Sequence, residues 1–201
     1  MRSRIIFCLA LLLCLNITES AGHDTPLAVK GVLDLRSIKD PYDFTVMLNG
    51  EWEFYWNTML TPSDISEGKH PAPYFGRVPA YWTGYSNDSL KTERYGYAAY
   101  RLTIILPQNF RESLGLDLPV FDSSYEIYVD GKNLGENGIP GKTKDETLPD
   151  YRRNFFRINP ASDTLSIIIN VANFHHRRGG FWLPAKLGTF GNVQRRMASS
   201  W

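Results

Sequence analysis

The sequence predicts an all-β fold, an antiparallel β-sandwich of jelly-roll type, and three observations predict it. Short segments with period-two alternation recur from Leu48–Trp56 (LNGEWEFYW) through Tyr97–Pro107 (YAAYRLTIILP) and Ser124–Leu134 (SYEIYVDGKNL) to Leu165–Gly180 (LSIIINVANFHHRRGG). Turn signals separate them, and no convincing helix of more than a few turns intervenes. Among the 201 residues are 11 Tyr, 11 Phe and 5 Trp, an aromatic load that suits strands, sandwich cores and ligand clefts.

The elements follow in order. Gly31–Arg36 alternates Val32, Leu33 and Leu35 with Asp34 and Arg36, a first strand. After an Asn49-Gly50 turn, Trp52, Phe54 and Trp56 share one face, while Glu51, Glu53 and Tyr55 share the other. Asn57–Ala72 is polar, with room for one helical turn near Pro62–Ile65. Tyr74–Trp82 holds a short strand ended by Pro79, and Thr83–Arg94 reads as a polar loop. Tyr100, Leu102, Ile104 and Leu106 then point one way until Pro107, which cannot donate to a ladder, stops the strand. Leu114–Leu118 and Tyr125–Val129 repeat the alternation, and Asp130-Gly131 supplies the positive φ of a two-residue hairpin. Asn133–Pro149 reads as a long loop, with Gly135, Gly138 and Gly141 allowing unusual backbone angles. Leu165, Ile167, Ile169 and Val171 form the last clear core strand, and Phe181–Leu187 closes the domain.

The amino terminus reads as an export signal over residues 1–20. Arg2 and Arg4 precede the apolar run Ile5–Leu15, and Thr18 and Ser20 place small side chains before a cut at Ala21. That run is too short to cross a bilayer, whose hydrocarbon core is roughly 30 Å thick. A leader over 21–30, a ligand-binding domain over 31–190 and a tail over 191–201 complete the expected organisation. Cleavage removes both cysteines, Cys8 and Cys14, so the mature domain has no thiol and its core stands without disulfides. This suits a periplasmic or otherwise extracytoplasmic location. Removing Arg2, Arg4 and Glu19 from 22 basic and 21 acidic residues leaves 20 of each. A net charge near zero gives no support for a nucleic-acid partner.

The succession LNGEWEFYW, VPAYW, YGYAAYRLTIILP, SYEIYVDGKNLG and VANFHHRRGGFWLPAKLG resembles the extracytoplasmic jelly-roll module of bacterial seven-transmembrane receptors with diverse intracellular signalling modules. More loosely it is similar to the sugar-binding domain of family 2 glycoside hydrolases. The resemblance spans about Gly31–Gly188. It implies a galactose-binding-domain-like fold and a sensory role for a carbohydrate or related small molecule. It also implies the membrane helices of a parent receptor as partner. Calcium is considered because sandwiches of this kind often hold one in a loop, but no ligand set stands out for it.

Candidate contacts are His175, His176 and Arg177 in the densest polar cluster, with Trp82, Tyr95, Tyr97, Arg101 and Trp182. Arginine offers a planar fork to carboxylates or vicinal hydroxyls, and aromatic rings pack on the C–H faces of sugars. The competing reading of His175–Gly180 is a structural corner that needs its Gly-Gly bend, and that of the loop aromatics is burial. Adjacent histidines on a strand exit point apart, so a metal site is not expected. Arg152, Arg153 and Arg157 read as either a basic patch or one solvated strand face. Glu51 and Glu53 stand roughly 7 Å apart, near a glycosidase separation, but read as a solvated face. With no nucleophile-elbow, zincin or P-loop spacing, no catalytic residue is assigned and the domain is expected not to be an enzyme. The expectation is a non-catalytic sensor of a carbohydrate or related small molecule. The alternatives are an accessory sugar-binding domain of a glycoside hydrolase and a structural module that forms a homodimer.

Overall fold

The computed structural model describes residues 25–120 and 124–198, so the export-signal segment lies outside the described residues. Eleven strands and two α-helices follow one another as β1 (Val32–Asp34), β2 (Thr45–Met47), β3 (Gly50–Trp56), α1 (Pro62–Ser66), β4 (Tyr74–Val78), β5 (Gly96–Ile105), β6 (Leu114–Leu118), β7 (Ser124–Val129), β8 (Lys132–Asn137), β9 (Asn154–Ile158), β10 (Thr164–Asn173), β11 (Lys186–Thr189) and α2 (Phe190–Ala198). One sheet runs β4-β3-β5-β10-β7-β8, with β1 added parallel to β5, and the other runs β2-β11-β6-β9. Every other pairing of strands is antiparallel. This is the expected jelly-roll sandwich.

Period-two alternation explains the core. Trp52 and Phe54 of β3, Tyr100, Leu102 and Ile104 of β5, Tyr125 and Ile127 of β7, and Ile167, Ile169 and Val171 of β10 all turn inward and are fully buried. From the facing sheet Leu114, Leu116 and Leu118 of β6 and Leu187 of β11 meet them. Asp130 and Gly131 have φ of 47° and 79°, the positive pair that the β7–β8 hairpin needs.

Four expectations need correction. Tyr55 lies on the face opposite Trp52 and Phe54, yet that face is not solvated there: the β3–β4 connection folds across it. Tyr55, Leu60, Ala99 and Ile168 form a second buried cluster, with Ile65 of α1 against it. Thr61 caps α1 in a reciprocal capping box with Asp64. The expected loop from Asn133 begins as β8, and beyond it Ile139 and Leu148 pair as an isolated bridge. The segment expected as a tail is α2, whose Val193 sits over Gly115 of β6 while Phe190 packs on Phe155 at 5.3 Å. The three arginines near β9 do not form one patch. Arg152 pairs with Asp150, Arg153 grips buried Asp117 through Nε and Nη2, and Arg157 lies over the Phe190 ring.

Candidate functional site

One end of the sandwich is built by the β4–β5 and β10–β11 connections, which are tied into a single frame. Ala80 N–H donates to Phe181 O at 2.9 Å, and Trp82 N–H donates to Gly179 O at 3.0 Å. A Cβ on Gly179 would lie 2.3 Å from the Trp82 ring, and one on Gly180 would lie 2.7 Å from Trp82 N. Gly180 also has φ +117°. The Gly-Gly bend is therefore a structural corner. Buried Asn173 staples the histidine turn to it, accepting from His176 N–H and donating to the carbonyls of His176 and Arg94. Tyr100 Oη accepts from Phe181 N–H, and burial pushes that phenol well above its ordinary range.

On this frame the structure sorts the expected contacts. Trp82 is 0% exposed and donates its indole N–H to Glu93 O, so it belongs to the core and is closed to a ligand. Arg101 is held elsewhere, mid-β5 on the outer face of the larger sheet. Its guanidinium grips Glu53, whose other partner is the Tyr55 hydroxyl. Residue register causes this, because Glu53 and Arg101 are cross-strand partners. Glu53 is thus an ion-paired, half-buried carboxylate rather than part of a solvated face. A shallow hollow of about 420 Å³ beside Arg101 is lined by Thr103, Ser162 and Ser166.

His175, His176, Arg177 and Trp182 come together at the frame, and Tyr97 is half-buried at the start of β5 across from Ala172. Tyr95, 46% exposed, lies in the adjoining loop with the Arg94 guanidinium 5.9 Å from its ring centroid. His176 Nδ1 contacts Arg178 O. His175 and Arg177 are exposed, with no side-chain hydrogen bond or ion pair among the described residues. Adjacent residues passed over in the sequence complete the surface. Tyr81 stacks on Trp182 at 5.7 Å and 26°, and Arg178 lies over the other partner of this stack, 4.8 Å from the Tyr81 centroid. The Trp182 indole N–H is buried without an acceptor among the described residues.

Tyr81 also lines a cleft of about 690 Å³ along the edge of β4. Tyr74, Phe75 and Arg77 of β4 line it, with Asn49 and Glu51 across from them. Asn49, whose Oδ1 is buried with no hydrogen-bond donor among the described residues, belongs to this lining. A VPAYW string flags Tyr81, but nothing in the sequence places Asn49 or Arg77 beside it. No group of three or more His, Cys, Asp or Glu among the described residues is placed to hold a metal ion. Nor is any described helix long and apolar enough to cross a membrane.

No family model matches the chain, and no curated protein does. Solved structures do. A family 2 glycoside hydrolase β-galacturonidase from Eisenbergiella tayi is similar with a TM-score of 0.51 and 15% identity, over 73% of this chain and 24% of that one. A β-glucuronidase from Ruminococcus gnavus gives a TM-score of 0.52 at 13% identity, over 75% of this chain and 28% of that one. Its complex with an N1-substituted uronic isofagomine gives 0.53 at 13% identity, over 76% and 30%. The chain thus spans less than a third of the length of these enzymes, a small and non-catalytic portion of them. At such identity the likeness establishes the fold, an all-β jelly-roll sandwich of galactose-binding-like type.

Proposed function

We propose that this domain is a non-catalytic carbohydrate-binding module whose ligand occupies the β4-edge cleft and the Tyr81–Trp182 surface beside it. The observation that carries the reading is the cleft itself, whose lining joins Tyr74, Phe75 and Tyr81 with Asn49, Glu51 and Arg77. Sugars need both, a ring face for their C–H groups and polar partners for their hydroxyls. The fold shared with part of family 2 glycoside hydrolases supports an accessory sugar-binding role over that of a free sensor. Nothing in the reading requires a reaction: Glu53 is ion-paired with Arg101, and Glu51 Oε2 accepts from the Lys30 backbone N–H.

Export, with cleavage before Ala21, belongs to the same proposal and is checked by amino-terminal sequencing of the secreted protein. The receptor reading rests on the order of the five quoted segments. Downstream coding sequence with seven apolar stretches would favour it, and a catalytic barrel would favour the accessory domain. The binding test is a glycan array followed by calorimetry on hits. Phe75→Ala, which removes the exposed ring of β4 from the cleft, is expected to weaken binding tenfold or more with the melting temperature nearly unchanged. The double replacement His175→Ala with Arg177→Ala is expected to weaken it if the ligand extends over the histidine turn. Absence of any saccharide ligand would remove the reading.

A further inference from the structure

We draw no further inference here: the strongest candidate, the hollow of about 300 Å³ at the amino terminus of α2, carries nothing, because its two arginines are already engaged, Arg157 over the Phe190 ring and on Ser113 and Arg195 at 3.8 Å from Asp43, and no second feature among the described residues points to a ligand there.

Discussion

Asn170 shows how one side chain can hold a connection onto a sheet. It is 1% exposed on the outer face of β10, and its amide accepts from Leu60 N–H at 2.9 Å and donates to Leu60 O at 2.9 Å. Its Nδ2 also donates to Glu126 at 2.8 Å. Asn170→Ala leaves a buried donor and acceptor without partners, so a loss of about 2–4 kcal/mol is expected in urea unfolding. A loss below 1 kcal/mol would show that the connection is held by Leu60 burial alone. Gly180 makes the complementary point through backbone space. Gly180→Ala places a Cβ against Trp82 N at a left-handed φ, and should cost on the order of 1–3 kcal/mol while weakening binding through the displaced Trp182. Retained stability in that variant would mean that the two connections can slide.

Elements behave differently according to whether their cause is local. The β7–β8 hairpin is encoded in two residues, so Gly131→Val should cost about 1–2 kcal/mol and be measurable by thermal melting, since the site is open to solvent and only φ resists. Helix α2 was harder to read. Phe190, Val193 and Met197 fall at helical spacing, but Gly191 and a start directly after β11 mask the pattern. What decides it is Gly115, whose missing side chain leaves a seat for Val193 and Phe155 on β6. Val193→Asp is expected to detach the helix, seen as lost helical signal and a lower melting temperature. β8 was missed for the opposite reason, since a polar edge strand with two asparagines and a glycine looks like a loop until β7 pairs with it.

At the scale of the whole molecule, buried tyrosines tie stability to alkaline pH. Burial is the first cause raising the phenols of Tyr55, Tyr85, Tyr100 and Tyr125 above the ordinary value of 10.0, that of Tyr125 to about 12. A folded-state value above the unfolded one favours the protonated, folded form. Their contribution is therefore complete below about pH 10 and is lost as pH rises from there through the folded values. Urea midpoints should hold between pH 8 and 10 and then fall, with phenolate absorbance appearing together with unfolding. Tyr100→Phe should flatten that slope, and an unchanged slope would assign the alkaline transition to other groups.

Alternation by twos, turn residues and prolines determined the sandwich, because strand faces, hairpin dihedrals and strand ends are decided by near neighbours along the chain. They also marked the Gly-Gly corner and the histidine turn on it. Only the tertiary structure decided which aromatics are core and which are surface, sending Trp82 inward and leaving Tyr81 on Trp182. It likewise decided which charges are spent, pairing Glu53 with Arg101 and leaving Arg77 open in the cleft. Pairing and enclosure depend on residues far apart in the chain, and no periodicity records which distant side chain arrives opposite.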